Sequence, residues 1–125
     1  MIERNKERIT VFAEEELSIS GYLKVDMDDF RSMEGDPYAF IRESHCGKVE
    51  DLARMITDDI TEAGADGIRS VVVLIRSNSL TMAELSVLDS ELHRVLGKTS
   101  MFRRGIAMDG TLAPGESSVA VILFA

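Results

Sequence analysis

Gly21-Tyr-Leu-Lys-Val-Asp-Met-Asp-Asp-Phe30 crowds three carboxylates, Asp26, Asp28 and Asp29, between apolar residues able to anchor them. Like charges ~4 Å apart repel by about 1 kcal/mol even in water, so such a cluster faces solvent, a cation or a partner. Val25 and Phe30 can hold it in place. Residue types alone give a simple reading, an acidic loop whose last Asp caps a helix. Upstream, Glu3 to Glu16 sets Ile9, Phe12 and Ala13 at helical spacing, with Glu14, Glu15 and Glu16 as a solvated face. From Leu17 the pattern turns to alternation, Leu17, Ile19, Gly21, Leu23 and Val25, the period of a half-buried strand. Residues 1–20 are thus a helix or a strand extension.

Downstream, Asp28 or Asp29 has the chemistry to cap a short helix over Phe30 to Met33, which Gly35-Asp36-Pro37 must break. Tyr38 to Ile41 reads as a strand whose end is marked by Ser44 to Gly47. Lys48 to Ala63 aligns Leu52, Met55, Ile56, Ile60 and Ala63 against Glu50, Asp51, Asp58 and Asp59, and Gly64 stands where a left-handed helix stop is wanted. Val71 to Ile75 is a β-branched, continuously apolar run, as expected of a central strand covered on both faces. Thr81-Met-Ala-Glu84 has the spacing of a capping box, followed by Leu85, Leu88, Leu92, Val95 and Leu96 as a core stripe that ends at Gly97. Ser100 to Met108 and Ser118 to Phe124 are the last strands, joined through Asp109-Gly110 and Pro114-Gly115 turn signals. This order predicts an α/β (α+β) fold, a mixed sheet with two crossover helices.

The chain's 125 residues fit one domain. With 22 acidic against 14 basic residues and no Lys/Arg block, nucleic-acid binding is disfavoured. The apolar runs are too short to span a bilayer, and the charged start has no following apolar stretch, so a cytoplasmic location and no membrane association are expected. The single cysteine, Cys46, excludes an internal disulfide. Asp26-Met-Asp28-Asp29 fails as a calcium loop because Phe30 and Arg31 fall on an oxygen-ligand and the Gly position. His45-Cys46 lacks the further ligands zinc requires. His93, in the last turns of a helix, has a dipole contact as its ordinary explanation. No metal or cofactor is expected, and no serine has the partners of a hydrolase triad.

Gly21-Tyr-Leu-Lys-Val-Asp26-Met-Asp-Asp29-Phe resembles the synergy loop of FtsZ, the prokaryotic relative of tubulin, whose pattern is Gly-Leu-Ile-Asn-Val/Leu-Asp-Phe-Ala-Asp-Val. Further matches follow in the family's order. Gly64-Ala-Asp-Gly-Ile68 is similar to its Gly-Ala-X-Gly-Ile/Val, Ser79-Leu-Thr-Met-Ala-Glu84 to its Leu-Thr-Leu-X-Glu, and Arg104-Gly-Ile-Ala-Met-Asp109 to its Phe-Gly-Ala-X-X-Asp. The resemblance covers residues 21–125 and implies the FtsZ/tubulin C-terminal domain, a four-stranded sheet with its two main helices on one face. In that family the loop reaches the nucleotide pocket of the adjacent subunit, and its two Asp residues help position the water that attacks GTP. By match these are Asp26 and Asp29, and a carboxylate near the γ-phosphate can orient a water or act as base.

The departures from the family pattern shape the expected function. No Gly-rich phosphate loop occurs, so the chain alone is not expected to bind or hydrolyse GTP. Lys24 replaces the family Asn, Asp28 stands where the family has a small residue, and Glu43-Ser-His-Cys-Gly47 replaces a Gly-rich segment. The resemblance therefore implies a non-catalytic interaction or assembly module, which self-associates or docks on an FtsZ/tubulin-like partner through Tyr22, Lys24, Asp26, Asp28, Asp29, Phe30 and the adjoining sheet edge. An alternative is a GTPase-activating domain supplying Asp26 and Asp29 in trans. A third is a small-molecule binding domain.

Overall fold

Val71 to Ile75 does run through the interior, and both of its faces are covered. The computed structural model describes residues 1–18, 22, 25–97, 99 and 101–125. The elements are β1 (Ile2–Glu3), α1 (Lys6–Ser18), α2 (Met27–Arg31), β2 (Pro37–Cys46), α3 (Val49–Ala63), β3 (Ser70–Ser77), α4 (Met82–Leu96), β4 (Met101–Met108) and β5 (Glu116–Phe124). The sheet order is β1-β2-β5-β3-β4, with β3 and β4 parallel and the other pairs antiparallel. β3, α4 and β4 form a βαβ unit. β5 does not pair with β4, the strand before it in sequence, but inserts between β2 and β3.

Alternation along the strands divides the core into two layers. Ala39, Ile41, Val71, Val73, Ile75, Val119, Val121 and Leu123 meet α3 and α4, where Leu52, Ile56, Ile60, Leu85, Leu88, Leu92 and Leu96 lie at helical spacing. Phe40, Val72, Leu74, Ala120, Ile122 and Phe124 meet Ile9 and Ala13 of α1 and Phe30 of α2. Each such Leu, Ile or Phe taken from water contributes about 1.5–3 kcal/mol, which is why a one-residue slip of β3 or β5 is strongly disfavoured.

The two main helices share one face of the sheet, as expected. The four-stranded expectation is corrected to five by the two-residue β1, and the second face is covered by α1 and α2. α1 settles residues 6–18 as helix, while Ile19, Gly21 and Leu23 of the alternating pattern lie outside the described residues. The helix expected over Phe30 to Met33 instead spans Met27–Arg31 and is capped by Asp26, because the first Asp of the cluster has the extended backbone that a cap needs. The Thr81–Glu84 capping box is present.

Two glycines illustrate separate constraints. Gly35 has φ 90, and a Cβ there would lie 2.7 Å from the Ala125 carbonyl oxygen, next to the paired backbone bonds between Asp36 and Ala125. Gly67 has φ 79 but open space around it. Gly35→Ala is therefore expected to lower stability by about 2–4 kcal/mol, from conformation and clash together, and Gly67→Ala by about 1 kcal/mol from conformation alone. Urea unfolding of both variants separates the two contributions.

Candidate functional site

Arg76 is the first charge after the apolar run of β3, and it shares the α1 face with Val72 and Leu74. A guanidinium at the end of a strand buried on both sides needs an anionic partner. Glu16, in the last turn of α1, supplies it: its Oε1 accepts from Arg76 Nε at 3.0 Å, and its side chain is only 3% exposed. The expectation of a solvated Glu14–Glu16 face is thus corrected at Glu16. Carboxylates are disfavoured at a helix C-terminus, and α1 has no basic residue in its last turn. Arg76, with Arg42 Nη1 at 3.7 Å from Glu16 Oε2, compensates from the sheet.

Tyr22 completes the cluster by donating its hydroxyl to Glu16 Oε1 at 2.8 Å. Asp109, just past β4, accepts from Arg76 Nη1 at 3.1 Å and receives both the backbone N–H and the hydroxyl of Thr111. Burial and then the Glu16 charge push the Tyr22 phenol above its ordinary value. Burial works against the Arg76 charge, but Glu16, Tyr22 and Asp109 outweigh it and the net direction is upward. The bonds from Thr111, with Arg76 adding, hold Asp109 below the usual carboxylate range. The group ties the end of α1, the start of the acidic segment and the carboxyl ends of β3 and β4 into one partly buried network.

Val25 and Phe30 pack on the same sheet face. Val25 lies over Gly105, where an added Cβ would come within 3.2 Å of both Val25 and Leu74. Phe30 packs at 5.5 Å, ring to ring, on Phe124. Between these anchors, Asp26 Oδ1 accepts from Asp29 N at 3.0 Å and Asp29 Oδ2 accepts from Asp26 N at 2.9 Å, a reciprocal capping box. Asp28 is 92% exposed, with Arg31 3.5 Å away. Of the expected partner-binding residues, Tyr22 and Phe30 face inward as anchors, Asp29 is half-buried, Asp26 and Asp28 are exposed, and Lys24 lies outside the described residues.

The remaining candidates do not converge. His45 Nε2 is 3.6 Å from Asp51 Oδ2, and Cys46 Sγ is directed at the Pro114 carbonyl instead of the imidazole. His93 stacks on Phe102 with ring centroids 4.6 Å apart, a ring contact beyond the dipole explanation. Among the described residues no group of three or more His, Cys, Asp and Glu could hold a metal ion, and no helix is long and apolar enough to cross a membrane. An open cleft of about 630 Å3, lined by Asp66, Gly67, Ile68, Arg94 and Thr99 among others, lies at the opposite end of β3 from Arg76. Its Arg94 is already paired with Glu91.

The sequence reading missed Glu16, Arg76 and Arg42. The available signal was Arg76 itself, a charge interrupting a run that could only be a doubly covered strand. A second signal was the helical spacing of Ile9 and Ala13, which continues to Glu16 and not to Glu14 or Glu15.

Glu16→Ala is expected to cost about 3–5 kcal/mol, because it leaves the Arg76 charge partly buried without its main partner. Asp26→Ala should cost about 1 kcal/mol through the lost cap, and Asp28→Ala less than about 0.5 kcal/mol. Denaturant titration measures all three. A separate prediction concerns Asp59, which burial and the Glu43 carboxylate push up to about 6, against the nearby Met1 α-ammonium. Its folded value lies above its ordinary one, so its stabilising contribution is complete below about pH 4 and is lost as pH rises through about 6. Asp59→Asn should therefore melt higher than the parent at neutral pH, with the gap closing on acidification.

No protein-family model matches the chain, and no curated protein matches it. Among solved structures, thiamine-monophosphate kinase from Stenotrophomonas maltophilia aligns at TM-score 0.44 and 9% identity over 95% of this chain and 40% of its own, too remote to bear on the fold. An FtsZ mutant from M. jannaschii aligns at TM-score 0.66 and 14% identity over 93% of this chain. The present chain spans 37% of that FtsZ. What this likeness shows is a fold: the body described above resembles the C-terminal domain of FtsZ.

Proposed function

We propose that this chain is a non-catalytic interaction and assembly module, which meets an FtsZ/tubulin-like partner or another copy of itself through the acidic segment and the adjoining edge strand β4. The observation that carries this reading is the anchoring of the segment. Tyr22 is clamped to Glu16 at one end and Phe30 to Phe124 at the other. Anchors on both sides of α2's capping box present Asp28 at a defined place on the surface, and preorganised surface charge favours specific docking over mobile contact. Met108, at the end of β4, is 64% exposed and adds apolar area of the kind found at interface cores.

The capping box argues against the alternative, in which Asp26 and Asp29 act on a partner's GTP. One oxygen of each carboxylate is bound to the other residue's backbone N–H. Presenting both to a water and a phosphate would compete with the start of α2. The fold, family resemblance and anchored segment support the module; its lack of catalysis and its partner are proposals.

Co-sedimentation with polymerised FtsZ is the test. The chain is expected to pellet with the filaments, with Asp28→Lys weakening retention by about tenfold, while the partner's GTP hydrolysis is unchanged by the Asp26→Ala and Asp29→Ala forms relative to the parent. A stimulated rate that both alanine variants abolish would replace the module with the activator. A chain that neither stays with the filaments nor self-associates would remove the module reading.

A further inference from the structure

The long free edge of the sheet belongs to β4. The β3–β4 register is continuous from Ser70 opposite Met101 to Ser77 opposite Met108, and Asp109 N donates to Ser77 O at 2.9 Å. Along a strand the backbone groups of successive residues point to alternate sides. Asp109, and with it Ala107, Gly105, Arg103 and Met101, therefore turns toward β3. Phe102, Arg104, Ile106 and Met108 turn their N–H and C=O groups outward, and no described strand pairs with them.

Exposed edges are ordinarily blunted by proline, a bulge, charge or a covering element. β4 has no proline and no break in its register. Of its two charges, Arg104 is paired with Asp89, which leaves Arg103 as the exposed one. The other edge of the sheet is different, since β1 already pairs with part of β2.

We propose that β4 pairs antiparallel with β4 of a second copy about a two-fold axis through Gly105, joining two five-stranded sheets into one. This rests on the assembly reading and names its surface and partner. In this register Phe102 of each copy stands opposite Met108 of the other, and Arg104 opposite Ile106. All four are outward-pointing residues, so every free backbone group of the edge gains a partner. Arg103 faces Ala107, and neither arginine faces its counterpart. An axis through Arg103 or Arg104 would oppose like charges, which is destabilising. An axis through Ile106 would leave Phe102 unpaired. Gly105 on the axis has no side chain to obstruct the close approach that a non-hydrogen-bonded pair makes, about 4.5 Å between Cα atoms. The strand is thus self-complementary in backbone, charge and volume, and an isologous pair is the commonest closed assembly.

Sedimentation equilibrium and amide hydrogen exchange of the full chain test the pairing. The expected result is a dimer in which the Phe102, Arg104, Ile106 and Met108 amides exchange about tenfold more slowly in concentrated than in dilute samples. Ile106→Pro removes one outward N–H, and Met108→Asp adds a carboxylate at an exposed seam position; each should weaken dimerisation by about tenfold with an unchanged far-ultraviolet spectrum. Should the proline variant not fold, Met108→Asp alone decides. A chain monomeric to millimolar concentration, or a dimer that Met108→Asp leaves intact, overturns the proposal. The first outcome with retention on FtsZ filaments, or the second by itself, leaves the assembly role standing on another surface.

Discussion

The burial of β3 and β5 on both faces is the constraint from which the rest follows. Two adjacent strands without a solvent side require two covering layers, and the chain supplies them unequally. α3 and α4 are long, with leucine and isoleucine stripes matched to Val71, Val73, Ile75 and their neighbours on β5. The opposite layer is α1, the five-residue α2, Tyr22 and Val25. The thin layer cannot close over the carboxyl end of β3 with apolar groups alone, and there Arg76 and Glu16 meet. Replacing one such partner exposes the full desolvation cost of the other, so the network specifies where α1 must end as well as stabilising it.

Much of this was legible in the residues. Periodicity located α3 and α4, the Thr81–Glu84 spacing located a cap, and the run Val71 to Ile75 announced a strand covered on both sides. What was not legible depends on contacts distant in sequence. Glu14, Glu15 and Glu16 are chemically alike; helical spacing puts the third on the Ile9 and Ala13 face, but the partner that lets a carboxylate sit there, Arg76, is sixty residues away. The boundaries of α2 were displaced for a local reason. Three aspartates in four positions offer several caps, and the choice falls to Asp26 because Asp29 then lies at the position that returns the bond. The strand order was hidden as well, since β5 pairs with strands earlier than its immediate predecessor.

Likeness in fold does not by itself carry likeness in role. Asp26 and Asp29 bind each other's backbone N–H groups. Asp28 is 92% exposed. Surface chemistry on this frame therefore has to be read from the chain's own side chains.

The contact between Tyr22 and Glu16 has an optical consequence. The chain has no tryptophan and two tyrosines, so its intrinsic emission comes from Tyr22 and Tyr38 alone. One phenol is bound to a carboxylate, a common route to a dark excited state, and the other to the Gly64 carbonyl. Release of the acidic segment from the sheet would brighten the first fluorophore over the constant contribution of the second, giving an unlabelled readout of that change.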